Sequence, residues 1–241
     1  MIRILCCFIP DRKYRHMLRK CRFGRYKITG TNNCIEYCGY KLPKWVKIVG
    51  LNVCIKGNDN VISIGQPRSI RNSNIIIESK NVNITIGDGA ILSGINFRCV
   101  YGLNQNITIG TNFTAYGADI YCDDISCLQI GNDVLFSNEI KIWCTDGHSI
   151  LDFNTNDVTN ISNGPVVIGD HCWIGQGVRI LKNARIPKNT VVAGGSVVGK
   201  CFLKENTIIA GVPARIVKEQ IKWDIENPYF LSLKRKRMIN E

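Results

Sequence analysis

Ile168–Val198 reads IGDHCWIGQGVRILKNARIPKNTVVAGGSVV. Every sixth residue from its start is aliphatic: Ile168, Ile174, Ile180, Ile186, Val192 and Val198. The fourth residue after each is Cys172, Val178, Ala184, Thr190, Ser196 and Phe202, mostly small. A helix needs apolar positions three and four apart, and a half-buried strand needs alternation. A strict six fits neither. It fits short strands joined by tight corners, with the aliphatic pointing inward onto its counterparts in adjacent coils. Asn183 and Asn189 fall three places after an aliphatic, where a corner can require the left-handed backbone that Asn adopts at low cost.

Weaker copies extend upstream in ISIG at Ile62, ITIG at Ile84 and Ile107, and LQIG at Leu128. Their Ile-Gly pairs, from Ile64-Gly65 to Ile130-Gly131, recur every 21 to 23 residues. That interval suits one turn of three six-residue faces plus a short extra loop. The expected organisation is an all-β solenoid over residues 53–214 whose coils contact only their neighbours. A basic N-terminal segment and cap over 1–52 and a helical tail over 215–241 close its ends. The tail reads as helical from Ala214 to about Glu226, with Asn227-Pro228 ending the helix.

The 241 residues are 45% hydrophobic, enough for a sizeable core. No apolar run approaches the length of a membrane-spanning helix. The opening MIRILCCFIPDRKYRHMLRKCR carries its charges after the apolar stretch, the reverse of a secretory signal, so the protein is expected in the cytoplasm. Twelve cysteines are scattered without a CxxC pair, which argues against a disulfide framework and against structural zinc. Cys172 and Cys201 fall inside the repeat, where a small, weakly polar side chain can fill space. Of the net charge of +12, part lies at the ends, in Arg12 to Arg22 and in Lys234 to Arg237. Such runs are solvated faces, or they favour anionic lipid headgroups or a phosphate-bearing substrate. Nucleic acid is not expected, because no aromatic platforms interleave with the basic residues.

VVIGDHCWIGQGVRILKNARIPKNTVVAGGSVVGK (Val166–Lys200) followed by IIAGVPARIVK (Ile208–Lys218) resembles the C-terminal half of the hexapeptide-repeat acyltransferases. Maltose, galactoside and nodulation-factor acetyltransferases belong to that family, and the likeness is nearest to the branch that acetylates bacterial surface polysaccharides. It covers roughly residues 107–218. It implies a left-handed parallel β-helix, an exception to the right-handed crossover rule, assembled as a homotrimer with active sites between subunits. It further implies an acetyl-CoA-dependent O-acetyltransferase acting on a carbohydrate acceptor of capsule or lipopolysaccharide, with no metal.

The resemblance assigns His148, in IWCTDGHSI, as the catalytic base. Imidazole suits that task, since its pKa lies close enough to neutrality to accept the proton of a sugar hydroxyl. Asp124, the second of a pair, corresponds to the residue that contacts acceptor hydroxyls, and a carboxylate is the right acceptor for them. Tyr116 stands where the galactoside enzyme has an acceptor-binding Asn. Glu139 would orient the imidazole, contact the sugar or be solvated. Trp173 would wall the donor and acceptor channel. The resemblance carries the donor onto Gly175, Gln176, Gly194, Gly195, Gly199, Lys200, Arg215 and Lys218, with backbone amides near the thioester and pantetheine and basic groups near the phosphates. Gln176 replaces a Ser there and Gly199 a Thr. His171 lies at a corner and reads as structural, and His16 belongs to the basic leader. Leu151–Gly164 is a polar stretch without the repeat, either a flap reaching a neighbouring subunit or a passive excursion.

Two other functions stay open at this level: N-acetylation of a nucleotide-linked amino sugar, and a non-catalytic solenoid that binds a surface or partner. A metal-dependent hydratase needs three histidine ligands, and with His16 outside the coils only two remain.

Overall fold

The computed structural model describes residues 11–239. The first ten residues of the basic leader lie outside the described residues, as do residues 240 and 241. Three eight-stranded sheets run the length of the described chain and form the faces of a triangular prism. Face 1 contains Cys34–Tyr37, Val61–Ile64, Asn83–Ile86, Asn106–Ile109, Cys127–Ile130, Val166–Ile168 and Arg185–Ile186. Face 2 follows each of these from Ser69–Arg71 up to Ile208–Gly211, and face 3 from Lys27–Ile28 up to Val197–Val198. Successive strands of a face pair in parallel, apart from the antiparallel strands at the ends.

The six-residue period maps onto this prism directly. Ile168 lies on face 1, Ile174 on face 2 and Ile180 on face 3, and the next three aliphatics repeat the order. All six are at most 1% exposed. Register stacks like on like: Ile62, Ile84, Ile107, Leu128 and Val166 form one inward column, and Ile64, Ile86, Ile109, Ile130, Ile168 and Ile186 form another. Burying each such side chain contributes roughly 1.5–3 kcal/mol, so the core stabilises the prism along its whole axis. Cys172, Ala184 and Thr190 fill the corners with no exposed surface, whereas Cys201 is exposed.

The recurring Ile-Gly has a steric cause. A Cβ on Gly131 would sit 2.4 Å from Asp170 Oδ1 and 2.6 Å from its backbone nitrogen. That carboxylate accepts from the Asn132 amide at 2.6 Å, tying one corner to the corner above. Asn183 (φ 60°) and Asn189 (φ 57°) adopt the left-handed backbone expected of them, and so does His171 (φ 51°).

Both ends differ from the sequence expectation. The coils begin well before residue 53: Lys27–Ile28 already pairs with Leu51–Ile55, and Cys34–Tyr37 with Val61–Ile64. Long corners blur the period there, which hides these coils from a six-residue pattern. The cap proper is the helix Arg12–Arg19, started by Asp11, whose side chain accepts from the Lys13 and Tyr14 amides. Its Met17 and Leu18 are buried in the core.

The helix expected over 214–226 is instead a strand, Ala214–Lys218, folded back antiparallel on Ile208–Gly211. Without that strand, Ile208–Gly211 would be an open edge with unpaired amides and carbonyls, and pairing it outweighs the local helical preference. Asn227-Pro228 opens a helix rather than ending one, since the C-terminal helix spans Pro228–Ile239. Proline fits a first helical position, and Asn227 Oδ1 accepts from the Tyr229 amide at 2.9 Å as its cap.

Candidate active site

The corner where face 3 turns into face 1 carries His148. In successive coils this edge holds 122–126, then the excursion 144–165, then 181–184 and 199–201. The excursion leaves after Ile140–Trp143 and returns at Val166–Ile168. Against the return sits a cavity of about 270 Å³ lined by His148 and Asp124 together with Ile125, Val158 and Ile161. The two residues assigned as base and acceptor contact are therefore brought together.

Their side chains are also free to act. Asp123 Oδ1 accepts from the Val100 and Tyr101 amides at 2.7 and 3.0 Å, so the first member of the pair is committed to the coil below. Neither the Asp124 carboxylate nor the His148 ring has a hydrogen-bond partner among the described residues. Asp124 sits at φ 59°, which its short side chain tolerates and which turns the chain at this corner.

The backbone beneath His148 is held by groups that sequence reading missed. Asn160 Nδ2 donates to the His148 carbonyl at 2.8 Å and to Asp146 Oδ2 at 2.8 Å, while its Oδ1 accepts from the Ile150 amide at 2.8 Å. From the coil above, Lys182 Nζ donates to Asp146 Oδ2 at 2.5 Å and to the Asn160 carbonyl at 2.6 Å. The ammonium beside it, helped by the Asn160 amide, holds the Asp146 carboxyl below the usual carboxylate value. Nothing in the sequence marks Asn160 within a loop rich in Asn. Tyr121 and Trp143 were also missed. They stack in register on face 3, centroids 5.8 Å apart, and the matched DIY and KIW triplets were the readable signal.

The other assigned residues lie elsewhere. Tyr116, Glu139, Gly175, Gln176, Gly194 and Gly195 line the corner between faces 2 and 3, and Trp173 stands on face 2 beside it. Trp173 Nε1 donates to Ser137 Oγ at 3.4 Å. Glu139 accepts from Gln176 Nε2 at 3.2 Å, so within one chain it faces Gln176 and does not orient the imidazole. Gly194 and Gly195 are exposed, and a Cβ on Gly195 would meet nothing within 4 Å. The backbone amides of Gln176 and Gly194 have no partner among the described residues. Gly199 and Lys200 belong to the His148 edge, whereas Arg215 and Lys218 are exposed on the closing strand of face 2, so the three basic groups do not cluster within one chain. His171 is structural: its ring stacks on Trp223 at 4.4 Å, and its carbonyl accepts from Trp223 Nε1 at 2.7 Å.

No helix among the described residues is long and apolar enough to cross a membrane.

Residues 165–200 match the family described as bacterial transferase hexapeptide (six repeats). A polysialic acid O-acetyltransferase from Neisseria meningitidis is 31% identical over 198 residues, which are 82% of this chain and 88% of that one. A putative acetyltransferase from Saccharomyces cerevisiae is 38% identical over 128 residues, 51% of this chain and 60% of that protein, so the chain spans only about three fifths of that relative. Among solved structures, the polySia-specific acetyltransferase NeuO superposes with a TM-score of 0.69 at 21% identity, covering 88% of this chain and 97% of that one. A likeness at that identity shows the fold, which is the left-handed parallel β-helix.

Proposed function

The chain belongs to the hexapeptide-repeat acetyltransferases, and on that premise we propose that it moves an acetyl group from acetyl-coenzyme A to a sugar hydroxyl of a bacterial surface polysaccharide, capsule or lipopolysaccharide, or its precursor. The observation that carries this reading is the cavity shared by an unpaired imidazole and an unpaired carboxylate, His148 and Asp124. Asp124 accepts a hydrogen bond from the acceptor. His148 takes the proton of the reacting hydroxyl as its oxygen attacks the thioester carbonyl carbon. The tetrahedral oxyanion then collapses, the carbon–sulfur bond breaks, and the thiolate receives the proton from the imidazolium, leaving an acetyl ester and coenzyme A.

The donor fits the corner between faces 2 and 3. Gln176 and Gly194 present unpartnered amides suited to pantetheine carbonyls, and Trp173 offers an apolar wall beside them. Because that corner and the His148 corner are different edges of one prism, a complete site needs two copies of the chain, and the working form is a homotrimer. Lys200 of one copy then approaches Arg215 and Lys218 of another to meet the phosphates. The loop 151–164, with Phe153 95% exposed, reaches the neighbour across this boundary. The protein works in the cytoplasm, with its basic N-terminal helix suited to peripheral contact with the anionic inner membrane.

The test is acetyl transfer to a panel of free sugars, oligosaccharides, sialic acid polymers and nucleotide-linked amino sugars. Transfer to a hydroxyl that falls about 10²–10⁴-fold in His148→Ala supports the proposal. Near-normal turnover in that variant sinks it, and transfer only to an amine replaces the acceptor.

A further inference from the structure

We propose that Lys182, acting through Asp146 and Asn160, is a positioning residue for His148, a role that rests on the reading of His148 as the base. The ring of His148 has no partner of its own among the described residues, so its place is set by its backbone. That backbone is fixed on both sides of Ser149 by one side chain. Asn160 donates to the carbonyl of residue 148 and accepts from the amide of residue 150, both at 2.8 Å.

Asn160 is in turn held by the coil above. Lys182 bonds its carbonyl at 2.6 Å, and through Asp146 it fixes the acceptor of the second Nδ2 hydrogen. The Lys182 side chain is 20% exposed and that of Asp146 39%, so water screens part of the ion pair, while the Lys182 bond to the Asn160 carbonyl is half-buried. The next residue acts on the same loop: Asn183 Oδ1 accepts from the Asn163 amide at 3.0 Å and contacts Ser162 Oγ at 3.1 Å. Two consecutive residues of a rigid coil thus fasten an otherwise solvated excursion, and the base inherits its position from the repeat rather than from the loop.

A shift of about 1 Å in a catalytic group can cost on the order of 10²-fold in rate. Lys182→Met removes the ammonium. Lys182→Arg keeps the charge and the donors. Asn160→Asp keeps the shape but turns a carboxylate toward Asp146 and the His148 carbonyl. Trp173, Gln176 and Gly194 lie on or beside the other edge, and Lys200, one coil above, has no hydrogen bond to Lys182 or Asn160 among the described residues, so the split between kcat and KM is diagnostic.

In steady-state assays of the full-length protein, kcat should fall about 10- to 100-fold in Lys182→Met and Asn160→Asp. KM for acetyl-coenzyme A should stay within about twofold, and Lys182→Arg should recover most of the rate. A second readout needs no turnover: in histidine-labelled NMR spectra, the ring resonance lost in His148→Ala should shift or broaden in Lys182→Met, while that of His171 stays put. Unchanged kcat and an unmoved His148 resonance in both variants, alongside an inactive His148→Ala, would overturn the clasp and leave the base intact. Full activity in His148→Ala would instead remove the base.

Discussion

His148 and Gln176 stand on different edges of the same prism, with the whole of face 3 between them. If their edges meet across a subunit boundary, defects in the two must complement each other. Co-expressed His148→Ala and Trp173→Ala chains, each inactive alone, should assemble at random so that one site in each mixed trimer, about a quarter of all sites, has both residues. Recovered activity of that order checks the arrangement. No recovery in assembled mixed trimers would place both groups in one subunit's site.

Asp124 offers a cleaner probe of the acceptor. Asn adopts the left-handed backbone of this position as readily as Asp, so Asp124→Asn should fold normally. Losing a hydrogen bond to a charged acceptor costs about 1.5–3 kcal/mol, or about 10- to 100-fold in kcat/KM for the acceptor. Kinetics that change only toward acetyl-coenzyme A would contradict the assignment.

The Asp146 carboxyl is depressed by Lys182, and the sign follows from that. A lowered folded value means that the group stabilises the loop above the ordinary carboxylate pKa, near 3.9, and loses this contribution only as pH falls through the lowered value. Rate-corrected hydrogen exchange at the Ile150 amide should therefore show constant protection from pH 8 to about 5, with loss only below about 4. Loss between pH 7 and 5 would show that another group fastens the loop.

Ile107 is fully buried and lies in register between Ile84 and Leu128. Ile107→Ala should cost about 2–5 kcal/mol in denaturant unfolding, because the stacked strands above and below cannot close the gap. A cost under about 1 kcal/mol would mean the column is not tightly packed.

The prism was legible where the repeat is tightest. From Ile168 to Val198 each apolar position, each small corner residue and both left-handed asparagines fall where the six-residue spacing puts them. It was less legible at the ends, where tertiary pairing decides: Ala214–Lys218 carries a helical pattern yet completes an open sheet edge. In the site, His148 and Asp124 were readable from their motifs, and the structure puts them at one cavity. Glu139 looked close to the base along the chain, but nine residues carry it round a corner to the opposite edge. Lys182 and Asn160 could not be seen, since their partners are brought together only by the winding of the coil.

The chain spends 38 positions between the paired residues Leu128 and Val166, where the turns below spend 21 to 23 and the turn above 18, and yet it re-enters with its pairing unbroken. Chain inserted at a vertex disturbs nothing above or below it, and doubling its length adds only about 0.6 kcal/mol of closure entropy. Such a scaffold works like a socket. Between Ile150 and Asn160, whose bonds hold the backbone at His148, the plugged-in segment can change length and composition while the strands above and below keep their register.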